Sequence, residues 1–123
     1  MARILVIDDD VMLQRMLKQT LHFLGHEVAQ AFDGEQGVRL CEKSPPDLVL
    51  TDILMPNQDG LQTIRELRRT CPDVKIIAMS GGSQLWPEMD ALSFASRFGA
   101  RRVLCKPFGH GQLESAIKEA IGA

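Results

Sequence analysis

Acidic side chains stand at two separate places in this chain of 123 residues. Asp8, Asp9 and Asp10 follow one short apolar run, and Asp52 follows another. Two carboxylates about 4 Å apart repel each other by roughly 4 kcal/mol at an effective dielectric constant near 20, so they crowd together only around a cation. If the fold brings these runs side by side, Asp8, Asp9 and Asp52 therefore predict a metal site.

The predicted ligands are all oxygen atoms, which selects a hard divalent cation. A site with only a few carboxylates leaves room for water and a substrate phosphate, as Mg²⁺ prefers. Ser80 and Lys106 follow two further apolar runs and could hold phosphoryl oxygens while the metal draws the phosphorus toward a carboxylate. This combination predicts phosphoryl transfer that produces an aspartyl phosphate.

Five short segments have the composition of β-strands. Residues 4–7, 48–50 and 76–79 are continuously apolar, as expected for central strands that helices cover on both faces. Residues 27–31 alternate between polar and apolar, and residues 101–105 begin with two arginines, which indicates strands at the edges of a sheet.

Segments of helical period separate these strands. Asp33 with Gln36 is typical of a helix start, Asp59 precedes a third helix, a fourth begins near Pro87, and a fifth surrounds Leu113. Apolar residues of the first helix are predicted to form one inward stripe: Leu13, Met16, Leu17, Leu21 and Leu24.

Strict alternation of five strands and five helices predicts an α/β fold, a doubly wound parallel sheet with helices on both faces, in one domain spanning residues 1–123. Ligands of such sheets bind at the carboxyl ends of the strands. Asp10 could simply cap a helix, Asp52 could serve a turn, and Lys106 could be a solvated charge. Their coincidence at the strand ends favours a functional site.

In sequence, residues 4–9, Asp52 to Pro56 with Asp59 and Gly60, Ser80, and residues 106–108 together resemble a response-regulator receiver domain. The resemblance spans the whole chain. It implies a flavodoxin-like fold with strand order 2-1-3-4-5.

The same resemblance implies the metal ligands. Asp9 and Asp52 are expected to bind Mg²⁺ directly, Asp8 through a water molecule, and Leu54 through its backbone carbonyl. Asp52 is also the expected phosphoacceptor.

Further roles follow from the same resemblance. The Ser80 hydroxyl is expected to move toward the phosphoryl group, and Lys106 is expected to pair with it. A cis peptide bond is expected between Lys106 and Pro107. A face that includes Arg101 and Arg102 is expected to meet the partner.

The sequence departs from the family pattern at two places. Val103 occupies the position where receivers carry Tyr or Phe, and because Val is small and stiff at χ1, the usual coupling is expected to be altered. The segment before Lys106 is longer than in common receivers, with the extra length predicted at residues 81–87, and we expect the loop from Gly81 to Trp86 to reorganise on phosphorylation. Leu54 and Gly82 offer no polar group to orient water, so slow autodephosphorylation is expected.

Composition excludes several classes of partner. A formal net charge of −2 and a pI near 5.9 disfavour direct binding of nucleic acid. Cys41, Cys71 and Cys105 lack zinc-binding spacing, which predicts free buried thiols and a reducing cytoplasm. The sequence predicts neither a signal peptide nor a membrane anchor.

The predicted function is a signalling switch of a two-component system that receives a phosphoryl group from a phosphohistidine on a histidine kinase or phosphotransfer protein. Its output is expected through contact with a protein target, because the chain ends directly after the last predicted helix. It would catalyse only its own modification, so it is not expected to be a turnover enzyme.

Two alternatives remain. A phosphorylation-independent adaptor of the same fold is suggested by Val103. A magnesium-dependent phosphatase is disfavoured, since its nucleophile and second acid normally share one loop, whereas Ile53 and Leu54 follow Asp52.

Overall fold

The computed structural model describes residues 2–52, 60–80, 100 and 102–122, with side chains for all of these except residues 60, 61, 80 and 105. Its described strands form one parallel sheet of five, in the order β2-β1-β3-β4-β5. The predicted fold and strand order are confirmed, and β2 and β5 are the edges, as expected. The strands are β1 Arg3–Ile7, β2 Glu27–Ala31, β3 Leu48–Asp52, β4 Lys75–Ser80 and β5 Arg102–Cys105.

Helices cover both faces of this sheet. Buried residues of α1 and α4 pack in a cluster on one face, and those of α2 and α3 pack in a cluster on the other. The helix predicted near Pro87 and the predicted helix start at Asp59 lie outside the described residues. The described helices are α1 Val11–Phe23, α2 Gly34–Lys43, α3 Gly60–Thr70 and α4 His110–Ile121.

Polar side chains fix the starts of the first two helices. Asp10 accepts hydrogen bonds from the backbone N–H groups of Met12 and Leu13, so the interpretation of Asp10 as a helix cap is confirmed. Asp33 accepts from the N–H of Gln36 at 2.8 Å. These caps start each helix shortly after the preceding strand and leave Asp8 and Asp9 between β1 and α1.

The predicted inward stripe of α1 is correct in part. Leu17 and Leu21 are fully buried, but Met16 is 39% exposed, and Gln14 is buried in its place. Successive helical residues are about 100° apart, so the inward face runs through Gln14, Leu17 and Leu21, and Met16 points to one side of it.

The helix α2 lies close to the carboxyl end of β1, where the side chain of Ile7 packs against the backbone of Gly37. A Cβ atom placed on Gly37 would lie 2.3 Å from Cδ1 of Ile7. Only glycine permits this approach, which packs α2 against the strand that leads into Asp8.

Two of the predicted buried thiols are confirmed. Cys41 and Cys71 are free and buried between α2 and α3. The helices of the described part of the chain are all too short or too polar to cross a membrane.

Candidate functional site

Three carboxylates meet at the carboxyl edge of the sheet. Asp8, Asp9 and Asp52 each offer one carboxylate oxygen, and these oxygens lie within 4.8 Å of one another. Asp8 and Asp52 are buried, whereas Asp9 is exposed. The predicted grouping of the three acids is therefore present, and we call it the acidic cluster.

Strand register explains why residues so far apart in sequence meet there. β1 and β3 are neighbours, and Ile7 lies opposite Thr51. Asp8 and Asp52 each follow that pair by one residue, so both stand at the same level of the sheet. β1 also lies where the order of the strands reverses, which is the usual position of ligand sites in open α/β sheets.

The carboxylate of Asp8 is held on both of its oxygens. Oδ1 accepts a hydrogen bond from the backbone N–H of Asp10 at 2.9 Å. Oδ2 accepts one from Nζ of Lys106, also at 2.9 Å. Since a buried carboxylate is stable only with such partners, Asp8 has one defined position in the cluster.

Lys106 reaches the acidic cluster from the end of β5. Its Nζ lies 3.6 Å from Oδ2 of Asp52 as well as 2.9 Å from Asp8, and its side chain is 23% exposed. Burial lowers the pKa of Lys106, but the hydrogen bond to Asp8 and the charge of Asp52 outweigh that effect and raise it above its ordinary value. Lys106 is therefore a firmly charged ammonium.

The charges of these four residues do not balance. Three carboxylates against one ammonium leave two negative charges, which favours binding of a divalent cation. The metal-ligand atoms of the acidic cluster are all carboxylate oxygens, so the cluster fits Mg²⁺ rather than a metal that prefers nitrogen or sulfur.

Other predicted site residues are described less fully. Leu54 lies outside the described residues, as does the loop at residues 81–87. Ser80 ends β4 with its backbone opposite Cys105, and its side chain is not among those described. The cis peptide bond between Lys106 and Pro107 is confirmed.

Two β5 residues bear on how the site could connect to a partner surface. Val103 is partly buried and packs against the cluster under α2 and α3. Arg102 forms an ion pair with Glu119 of α4, so its charge is matched within the chain. Arg101 is outside the described residues.

Gln14 is a buried polar residue beside Asp8 that the sequence analysis did not identify. It is 1% exposed, and its amide nitrogen lies 3.1 Å from the backbone oxygen of Asp8. The sequence signal was a polar residue three positions before Leu17, on the inward face of α1. It lies about one helical turn after the acidic residues that follow β1.

Comparison with known proteins identifies the family of the chain. A family model described as the response regulator receiver domain matches residues 4–118. The chain is 34% identical over 119 residues to a probable transcriptional regulator ycf27 of Porphyridium aerugineum, covering 97% of this chain and 48% of that protein. It is 35% identical over 120 residues to response regulator MprA of Mycolicibacterium vanbaalenii, covering 98% and 50%. The chain thus spans about half the length of these curated relatives.

Solved structures agree with the fold. A response regulator receiver domain protein from Clostridium thermocellum has a TM-score of 0.87 and 32% identity, covering 99% of this chain and 95% of that one. A CheY-like receiver domain protein from Methanospirillum hungatei has a TM-score of 0.87 and 30% identity, covering 98% and 93%.

Proposed function

Because this chain belongs to the response-regulator receiver domain family, we propose that it is a phosphorylation-dependent switch of a two-component system, with Asp52 as the phosphoacceptor. One observation carries the proposal. Asp8, Asp9 and Asp52 converge on one point, and the ammonium of Lys106 lies against two of them.

Each residue has a proposed part in holding Mg²⁺. Asp9 and Asp52 would bind it directly, Asp8 through water, and Leu54 through its carbonyl. When bound, the ion supplies positive charge that shields the phosphoryl oxygens from the carboxylates.

Asp52 would act as the nucleophile. Its carboxylate oxygen forms a bond to phosphorus while the bond from phosphorus to the imidazole nitrogen of a phosphohistidine breaks, and the electron pair leaves with that nitrogen. Asp52 is 5% exposed, which limits access of water to the acyl phosphate. The side chain of Leu54 and the glycine at position 82 add no polar group to orient water, so slow loss of the phosphoryl group is part of the proposal.

Lys106 and Ser80 would respond to the new charge. The raised pKa of Lys106 keeps its ammonium charged. This ammonium can turn from Asp8 to a phosphoryl oxygen. The Ser80 hydroxyl would donate to another oxygen, and its movement would carry the change to the surface near β4 and β5.

The proposed donor is a histidine kinase or a histidine phosphotransfer protein, and the proposed output is contact with a protein target. Neither nucleic acid nor a membrane is a proposed direct partner, and the proposed location is the cytoplasm. Residues 1–123 would form one receiver domain. The chain would catalyse only its own phosphorylation and dephosphorylation, rather than turn over a separate substrate.

Val103 favours a second candidate, an adaptor of the same fold that works without phosphorylation. Its short side chain packs against the cluster under α2 and α3, at the position where receivers carry an aromatic ring. If no side chain at position 103 can move together with Ser80, the surface that meets the partner would be the same with and without phosphorylation. Unchanged binding of a target by Asp52→Asn would support the adaptor, whereas loss of binding would support the switch.

Intact-mass measurement tests the chemistry directly. The parent protein is incubated with a small acyl phosphate and Mg²⁺, beside Asp52→Asn and the control Asp73→Asn, an exposed acid after α3. The parent and the control should each gain one phosphoryl group, and Asp52→Asn should gain none. Excess chelator should abolish the gain. An unmodified parent, or a modified Asp52→Asn, would contradict the proposal.

A further inference from the structure

Gln14 is a buried amide with an unusual set of partners. Its Nε2 lies 2.7 Å from the backbone oxygen of Ala31 and 3.1 Å from those of Val6 and Asp8. The amide of Gln30 donates to both the backbone oxygen and Oε1 of Gln14, each at 3.1 Å. The side chain thus joins the carboxyl ends of β1 and β2.

These contacts fix the orientation of the amide. Three carbonyl oxygens can only accept hydrogen bonds, so the nitrogen must face them, and Oε1 must face the donor on Gln30. A flipped amide would place oxygen against three oxygens. An apolar side chain of the same length would leave those carbonyls without this donor.

Asp8 depends on this junction for its backbone. β1 ends at Ile7, one residue before Asp8, and Asp8 continues the ladder only through its N–H, which donates to Ala31 at 3.1 Å. The oxygen of Ala31 also accepts from Gln14, and the oxygen of Asp8 accepts from Gln14 alone among the contacts described. The N–H of Asp8 therefore binds the Ala31 oxygen, the C=O of Asp8 binds the Gln14 amide, and the same amide also binds the Ala31 oxygen.

We propose that Gln14 is a positioning residue of the cation site. It holds the backbone of Asp8 so that Asp8 and Asp9 lie close enough to Asp52 for the three carboxylates to bind one cation. The inference rests on the proposed function. Because the amide is neutral, it fixes the acids without reducing the negative charge that attracts the cation. A lysine or arginine in its place would supply donors and oppose cation binding at once.

Gln14→Met tests the proposal, since it keeps the length and volume of the side chain and removes the donors. Titration calorimetry with Mg²⁺ alone should show a Kd about 5- to 10-fold higher than in the parent. Ile64→Val, a truncation in the cluster on the opposite face, is the control for a loss of stability. Its Kd should match the parent, because a folded protein keeps its site when a remote core residue is shortened.

A spectroscopic measurement separates positioning from stability. The backbone N–H of Asp10 donates to Oδ1 of Asp8, so its proton chemical shift reports where the Asp8 carboxylate stands. The shift should move in Gln14→Met and stay in Ile64→Val. A Kd within twofold of the parent in folded Gln14→Met would overturn the inference.

Gln30→Leu decides the matter if Gln14→Met does not fold. It frees Oε1 of Gln14 and leaves the Gln14 donors present, so a Kd raised about 2- to 4-fold is expected. An unchanged Kd would then overturn the inference. A parent that binds no Mg²⁺ would instead defeat the proposed function, so the two failures are distinguishable.

Discussion

Nζ of Lys106 lies 2.9 Å from Oδ2 of Asp8, across the carboxyl edge of a sheet in which β5 and β1 are not neighbours. Lys106 follows the end of β5, and its ammonium contacts Asp8 although β4 and β3 stand between β5 and β1 in the strand order. The ammonium is thus held by the carboxylates that a divalent cation also needs, so Lys106 and Mg²⁺ compete for the same negative charge.

Lys106→Met should therefore tighten Mg²⁺ binding, by about three- to tenfold, because one positive charge leaves the acidic cluster. Its Tm at low Mg²⁺ should fall, since Asp8 loses its charged partner, and added Mg²⁺ should restore it. Calorimetry and thermal unfolding measure both. Lys118→Met, which removes a surface partner of Glu114 on α4, is the control. Weaker binding by Lys106→Met would contradict competition.

Asp9→Asn should stabilise the fold. Asp9 is exposed and adds a third negative charge beside two buried ones, so neutralising it should raise the free energy of unfolding by about 0.5–1 kcal/mol at low salt. Urea unfolding measures the change, which should shrink as salt screens the repulsion. Asp73→Asn should change little. A destabilised Asp9→Asn would show that the cluster is not under repulsion.

Gly37→Ala should destabilise the protein by about 1–3 kcal/mol, because the new methyl group would overlap Cδ1 of Ile7 at 2.3 Å. Combining it with Ile7→Val removes that carbon, and the double variant should lose less than the sum of the single changes. Gly111→Ala in α4, where the added methyl meets no atom within 4 Å, should be neutral or slightly stabilising. Additive losses would contradict the packing explanation.

The sequence predicted the acidic cluster because strand ends and register depend on short apolar runs. Asp8 and Asp52 each follow such a run, and parallel neighbours bring their ends to one level. Gln14 was not predicted, because its proposed role requires backbone oxygens of β1, of β2 and of the residue after β1 to converge, and apolar periodicity carries no information on that. The inward prediction for Met16 is wrong for a related reason: apolar periodicity predicts a stripe of apolar residues alone, whereas the helix buries the polar Gln14.

Stability should also depend on pH through His26, whose Nδ1 accepts a hydrogen bond from the backbone N–H of Ala2 at 3.0 Å. Burial, and to a lesser degree the positive charge of the amino terminus, lowers the pKa of His26 below 6.5. The unfolded chain then binds the proton more readily than the folded one. The contribution to stability is complete above pH 6.5 and is lost as the pH falls through the lower folded value.

Urea unfolding of the parent between pH 8 and pH 5 should therefore show a decline that is smaller in His26→Gln, whose amide oxygen can accept from Ala2 without titrating. His22→Gln, an exposed histidine of α1, should keep the decline of the parent. Equal pH profiles for the parent and His26→Gln would mean that protonation of His26 does not oppose folding.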